Sequence, residues 1–232
     1  MSYTQKTLAG FSWQTLYKGL LVGVAMIKMY ILARLLNPEA FGLFSLTAIT
    51  LGITESLTQT GINVTILQSK KSVKYFLDTA WVIAIIRGFI IGSIMLLLGL
   101  FMQSYYQEPQ LLGLIGVAAL IPIIKGFINP YIVTLHKEMR FFQDSLYRFS
   151  LVLVESLAVI VLGLITHSVW ALVGGLIIGA IYEVIISFSF FKLKPKFAYV
   201  PSKGKAILNN AKWLSVSTVL NYLNDNVDDF VL

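Results

Sequence analysis

Seven apolar runs, each long enough to cross a lipid bilayer, constrain the fold of this chain more than any other feature. A transmembrane helix needs about 20 predominantly apolar residues to cross a hydrocarbon layer about 30 Å thick. The predicted spans are 11–36, 41–68, 77–102, 111–135, 146–166, 169–191 and 211 onward. The sequence therefore predicts an all-α fold, a polytopic membrane helical bundle. Six transmembrane helices would form an N-terminal lobe (1–205), and a seventh would begin a second, truncated lobe (206–232).

The composition supports a membrane protein and excludes several kinds of site. The chain is 57% apolar and 12% charged, whereas soluble domains average about 45–50% and about 25%. It has no cysteine, which excludes disulfides, thiolate nucleophiles and zinc–thiolate centres. His136 and His167 are too far apart for a local metal motif, and no glycine-rich phosphate loop is present. We therefore expect no metal and no other cofactor.

Basic residues predict the orientation, because short loops rich in lysine and arginine stay on the cytoplasmic side of a membrane. A cytoplasmic N-terminus puts 13 basic residues on that side and only Arg34 on the other. The 13 are Lys6, Lys70, Lys71, Lys74, Lys137, Arg140, Arg148, Lys192, Lys194, Lys196, Lys203, Lys205 and Lys212. Loops that face anionic membrane lipids explain the net charge of +7, so no nucleic-acid partner is needed.

Charged residues inside the predicted spans are the candidate functional residues. A charge at the centre of a span costs about 2.5–3.5 kcal/mol on the insertion scale, so these side chains should face other helices or a water-filled cavity. The basic candidates are Lys18, Lys28, Arg87 and Lys125, and the acidic residues in the spans are Glu55, Glu155 and Glu183.

Each candidate has a structural alternative. Lys18 and Lys28 share one helical face, but lysines of this kind also snorkel or pair internally. Glu55 lies on a stripe of small and polar residues that either lines a lumen or packs closely against another helix. The stripe contains Ser45, Ala48, Gly52, Glu55, Gln59 and Asn63. Arg148 shares a face with Glu155, which suggests a structural network.

Two further patterns favour packing or solvation over function. Gly175 and Gly179, one turn apart, form a small-residue packing motif that continues to Glu183. We interpret His136, beside Lys137, as a solvated loop residue.

The last segment carries an unusual acidic run, Asp225, Asp228 and Asp229. Aligning Trp13 with Trp213 gives a faint match that indicates either the start of an internal repeat or chance. With a repeat, we expect the 232 residues to be a first lobe without transport activity of its own.

Four segments, in order along the chain, carry a family resemblance. They are 35–42 (LLNPEAFG), 61–68 (GINVTILQ), 136–141 (HKEMRF), and the group Trp213, Asn221, Tyr222 and Asp228. They look like a first external turn, the end of a second helix, a basic loop after a fourth helix and the opening of a second lobe. In this order and spacing the chain resembles the Wzx-like polysaccharide flippases (O-antigen, colanic acid or teichuronic acid type) of the multidrug/oligosaccharidyl-lipid/polysaccharide exporter superfamily.

The resemblance implies a transporter, not an enzyme, of the bacterial cytoplasmic (inner) membrane. It implies movement of an undecaprenyl-diphosphate-linked oligosaccharide from the cytoplasmic to the outer leaflet, with polysaccharide polymerase machinery as a further partner. Four residues would bind the diphosphate: Lys18, Lys28, Arg87 and Lys125. Glu55 and Asp228 would bind the coupling ion.

Two other functions stay open. A cation-coupled drug antiporter of the same superfamily would rely on acidic residues, whereas the predicted first lobe has four central cations and three acids. A membrane-embedded transferase would need a catalytic acid or histidine near a nucleotide or acyl-donor site, and the sequence has no histidine–acid pairing of that kind.

Overall fold

Helices make up all the regular structure that is described. A computed structural model describes residues 3–57, 66, 67, 69, 71–191 and 193–209, with side chains from residue 17 onward and only to residue 55 within the first range. The helices are α1 (Tyr3–Leu35), α2 (Pro38–Leu57), α3 (Val73–Tyr106), α4 (Pro109–Ala118), α5 (Leu120–Gly126), a 3-10 turn (Pro130–Ile132), α6 (Val133–Lys137), α7 (Phe141–Thr166), α8 (Trp170–Phe190) and α9 (201–209). The predicted all-α class is confirmed.

Four helical segments in the described ranges have the length and hydropathy to cross a membrane. They are Val73–Tyr106, Pro109–Gly126, Phe141–Thr166 and Trp170–Phe190. Each overlaps one predicted span, and the chain is a multi-pass membrane protein. The total of seven spans stays a prediction, since the last span, with Asp225, Asp228 and Asp229, lies outside the described residues.

The predicted fourth span, 111–135, is broken in the structure. Pro122 has no N–H to donate to the carbonyl four residues earlier, and the helix is interrupted at Ala119 between α4 and α5. Asn129 precedes Pro130 and is extended, with φ −68° and ψ 112°, because a residue before proline is disfavoured in the helical region. Two prolines therefore divide this part of the chain into short helices and a 3-10 turn.

The described residues form two compact units. One contains Met1–Phe44 and Thr134–Glu183, and the other contains Ser45–Val133 and Val184–Leu232. The predicted boundary between 1–205 and 206–232 concerns mainly residues that are not described, so it stays a prediction.

In the first unit, glycines allow the helices to approach closely. α1 packs on α7, where a methyl group on Gly163 would lie 3.3 Å from a methyl carbon of Leu32. On α8, a methyl group on Gly175 would lie 2.9 Å from the backbone nitrogen of Val159. The packing motif predicted for α8 is confirmed at this contact.

In the second unit, α3 packs on α4, α5 and the 3-10 turn. Glycines on both sides set the distance between α3 and α5. A methyl group on Gly92 would lie 2.9 Å from the carbonyl oxygen of Ala119, and one on Gly126 would lie 2.9 Å from that of Ala84. One cluster of buried apolar side chains in the unit contains Ile66, Val73, Phe76, Ala80, Ile83, Val133 and Ile207.

Candidate functional site

Lys28, a predicted candidate in the last third of α1, forms an ion pair. Its Nζ lies 3.3 Å from Oε1 of Glu155 on α7, and the two side chains are 28% and 30% exposed. The aliphatic part of Glu155 covers Gly179, since a methyl group there would lie 3.1 Å from Cβ of Glu155. Helix packing in the first unit therefore brings the two charges together. Of the two structural alternatives given for Lys28, snorkelling or internal pairing, the structure shows internal pairing, with Glu155 as the partner.

Lys18, on the same helix, is exposed and makes no ion pair within the described part of the chain. It lies ten residues from Lys28, which is about 15 Å along a helix axis. A single small anion would contact both lysines only if the two side chains extended toward each other along the helix.

Arg87 lies near the middle of α3 and is half-buried. Its Nη2 donates a hydrogen bond to the backbone carbonyl of Glu55 at 3.1 Å, so the second unit brings these two predicted residues together. The Nε atom of Arg87 is buried and has no acceptor among the described residues. A buried guanidinium N–H without an acceptor costs free energy. This N–H is therefore suited to donate a hydrogen bond to an anionic oxygen.

The face of α2 that carries Glu55 is not the face that the structure buries. Ser45 is exposed, whereas Thr47, Thr50 and Thr54 are almost fully buried. Thr54 donates its hydroxyl hydrogen to the carbonyl of Thr50 at 2.8 Å, which satisfies the hydroxyl within the helix. The buried row of α2 is therefore the threonine row. The described members of the predicted stripe are half-buried or exposed, and Gln59 and Asn63 lie outside the described residues.

Lys125 is exposed in the last turn of α5, and no described residue pairs with it. A cation at the C-terminal end of a helix interacts favourably with the helix dipole, which gives Lys125 a structural reason for its place. Asp228, predicted to bind a coupling ion, lies outside the described residues.

The start of α7 carries a charge cluster that the sequence analysis missed. Arg148 Nε donates to both carboxylate oxygens of Asp144, at 3.0 and 3.1 Å. His136 Nε2 lies 3.2 Å from Asp144 Oδ1 and 2.8 Å from Arg148 Nη2. His136 therefore lies in α6 and contacts two charged side chains, which differs from the predicted loop position, while its side chain is 41% exposed, as expected for a solvated residue. The i, i+4 spacing of Asp144 and Arg148 is a signal that could have revealed the pair.

The charged side chains described above can bind and position a charged ligand and neutralise its charge. Within the parts of the chain that are described, no three His, Cys, Asp or Glu side chains come together as metal ligands. Arg87 has hydrogen-bond capacity left, and Lys18 and Lys125 carry unpaired charge in or at the end of apolar helices. These groups suit an anionic ligand at the membrane, because an anion offsets a cost that the cations impose in lipid.

Comparison with known proteins places the chain in a family. A family model described as polysaccharide biosynthesis protein matches residues 31–232. The chain is 23% identical to the lipopolysaccharide biosynthesis protein WzxC of Escherichia coli (strain K12), over 100% of this chain and 48% of WzxC. It is 26% identical to an uncharacterized membrane protein in the cps region of Klebsiella pneumoniae, over 98% of this chain and 47% of that protein.

The chain spans about half the length of these two relatives. No solved structure matches it. The family match covers most of the chain, and the apolar helices agree with membrane proteins of this kind. The chain therefore belongs to the polysaccharide biosynthesis protein family and is a Wzx-like membrane protein.

Proposed function

We propose that this chain takes part in moving an undecaprenyl-diphosphate-linked oligosaccharide from the cytoplasmic to the outer leaflet of the bacterial cytoplasmic membrane. The observation that carries the proposal is the family match over residues 31–232, together with similarity to WzxC over the whole chain. The chain would act as a transporter, not an enzyme, with its N-terminus in the cytoplasm. Polysaccharide polymerase machinery would receive the translocated glycan.

The charges in the apolar helices support an anionic substrate. A diphosphate carries its charge on oxygens that accept hydrogen bonds, and cations in a site of low dielectric constant attract it strongly. Arg87 is the leading candidate, because its buried Nε has no acceptor among the described residues. Lys18 and Lys125 supply further unpaired cations. The prenyl tail would stay in lipid, since it needs no polar surface.

Lys28 contributes less free charge than the sequence implies, because Glu155 already neutralises it. We keep Lys28 as a substrate-binding candidate whose charge becomes available only if the pair opens. Glu55 and Asp228 remain the candidates for a coupling ion.

The experiment is a translocation assay in proteoliposomes with a purified full-length protein that contains this chain, because the chain spans about half the length of its two relatives. Radiolabelled undecaprenyl-diphosphate-linked oligosaccharide is placed in one leaflet, and its appearance in the other is followed over time. Arg87→Gln should lower the rate at least tenfold, because it removes the charge while keeping much of the volume. Arg87→Lys should retain part of the rate, since it keeps the charge but loses the planar fork.

The matched control is Arg34→Gln. Arg34 lies at the exposed end of α1, where its guanidinium stacks 4.6 Å from the centre of the Tyr30 ring, so this variant should translocate at the unmodified rate. Equal rates for Arg87→Gln and Arg34→Gln, at equal protein recovery, would contradict the role of Arg87. Transport of a cationic drug without transport of the glycan lipid would favour the antiporter, and glycosyl transfer in the same vesicles would favour a transferase.

A further inference from the structure

The segment 193–209 follows α8 and folds back on the first turns of α3. The backbone N–H of Lys196 donates to Oδ1 of Asp78 at 2.8 Å, and that of Val200 donates to the hydroxyl of Thr79 at 3.2 Å. Ile207, at the far end of the segment, is fully buried in the core of the second unit. The segment is therefore attached at three points to the beginning of a membrane-spanning helix.

Apolar side chains of this segment stay exposed although its backbone is held in place. Phe197 is 76% exposed, and its ring makes an edge contact with Trp81, with the ring centres 6.1 Å apart. Tyr199 and Leu208 are both about half exposed. Exposed aromatic side chains next to the end of a spanning helix are typical of the boundary between lipid and water, where a ring can contact both.

Lysines surround the same region. The described residues of 69–78 and 193–209 contain six lysines and one acidic residue, Asp78. The lysines are Lys71, Lys74, Lys194, Lys196, Lys203 and Lys205. Five of these side chains are exposed, and that of Lys203 is half-buried. A positive surface with exposed aromatic rings at the end of a span is complementary to anionic headgroups.

The ring of Tyr75 contacts two of these lysines, which come from segments that are far apart in sequence. The Nζ atoms of Lys71 and Lys203 lie 4.0 and 4.1 Å from the centre of its ring, so they are no more than about 8 Å apart. Contact with a ring face leaves the N–H groups of an ammonium able to donate hydrogen bonds. A phosphate that accepts from both, at about 2.8 Å from each nitrogen, can bridge a gap of that order.

We propose that Lys71, Tyr75 and Lys203, with Lys74, Lys205 and the exposed ring of Phe197, form a binding surface for the phosphate headgroup of anionic phospholipids. The lysines contact the phosphate, and the aromatic ring enters the interface beside the acyl chains. The segment 193–209 thereby holds the start of α3 at the level of the headgroups. This surface is independent of the proposed transport function, because it needs only lipid and no glycan.

The test uses the full chain in neutral mixed micelles, with Trp13, Trp170 and Trp213 changed to phenylalanine so that Trp81 is the sole tryptophan. Titration with phosphatidylglycerol brominated in its acyl chains should quench Trp81 fluorescence at lower lipid fractions than brominated phosphatidylcholine does. Lys203→Gln with Lys205→Gln should weaken the phosphatidylglycerol effect about 25-fold, at about fivefold per lysine. Lys203→Arg and Tyr75→Phe should bind as the unmodified chain does.

The matched control, Lys137→Gln with Arg140→Gln, removes two basic residues from the first unit and should leave the quenching curve unchanged. An equal loss in the control would overturn the proposal, because it would show only a general effect of net charge. Equal quenching by the two lipids in the unmodified chain would overturn it as well. Displacement of phosphatidylglycerol by millimolar inorganic phosphate would also contradict it, since the surface would then be a site for a soluble anion.

Discussion

The ion pair between Lys28 and Glu155 allows a quantitative test of how the first unit holds its central charges. The nitrogen–oxygen distance is 3.3 Å, and each side chain is less than one third exposed. At that distance two unit charges attract by about 5 kcal/mol for an effective dielectric constant of about 20, against about 1 kcal/mol in water. Removal of charges from water cancels much of this attraction.

The expected coupling free energy lies between two known limits. Exposed pairs contribute about 0–1 kcal/mol, whereas removal of one partner from a buried pair costs about 3–5 kcal/mol. A pair that is about one third exposed should therefore give a coupling of about 1–3 kcal/mol. Lys28→Met keeps the unbranched side chain, and Glu155→Gln keeps the methylene groups over Gly179. Each single variant leaves one charge alone among apolar helices, whereas the double variant leaves none.

The measurement is a double-mutant cycle on the free energy of unfolding, with the four proteins in detergent micelles. The double variant should lose less free energy of unfolding than the sum of the losses in the two single variants. The control cycle uses Arg140 and Glu138, whose nitrogen–oxygen distance is 2.6 Å and whose side chains are 54% and 46% exposed. That cycle should give at most about 1 kcal/mol. A Lys28–Glu155 coupling no larger than that of the control pair would refute the argument that partial burial strengthens the attraction between the two charges.

Three other predictions concern packing, a buried amide and topology. Gly92→Ala should lower the free energy of unfolding by about 1–3 kcal/mol, because its methyl group would lie 2.9 Å from a backbone oxygen. Gly23→Ala on α1 should leave the free energy of unfolding unchanged, because no described atom lies within 4 Å of the added methyl group. Equal effects of the two variants in thermal unfolding would contradict the close contact at Gly92. Asn129→Ala should cost about 2–4 kcal/mol, because its buried side chain donates to the carbonyl of Leu193 at 2.8 Å and accepts from a backbone N–H at 3.0 Å; an unchanged melting temperature would be evidence against that role. A cysteine at Glu39 should react with a membrane-impermeant thiol reagent in intact cells and one at Lys137 should not, and the reverse pattern would overturn the predicted orientation.

Local patterns in the sequence were sufficient to predict the all-α class and the position of the four described spanning segments. A run of apolar residues has the same consequence wherever it lies in a chain, because unsatisfied backbone groups in lipid force it to be helical. The close approach at Gly175 was predicted from small residues on one helical face, which is also local information. The break in the fourth predicted span had a local signal too, since Pro122 and Pro130 lie inside it, but its position at Ala119 depends on how α4 and α5 pack on α3.

Tertiary structure decided which charges meet. Lys28 and Glu155 are 127 residues apart, and their pairing depends on the rotation and register of two helices that no local pattern specifies. Arg87 likewise reaches a backbone carbonyl 32 residues away. Lys71 and Lys203 share the ring of Tyr75 only because the segment 193–209 folds back on α3. Apolar length is a property of one segment, whereas a contact between two charges is a property of the packing that brings two segments together, and the sequence alone therefore determined the helices but not their charged contacts.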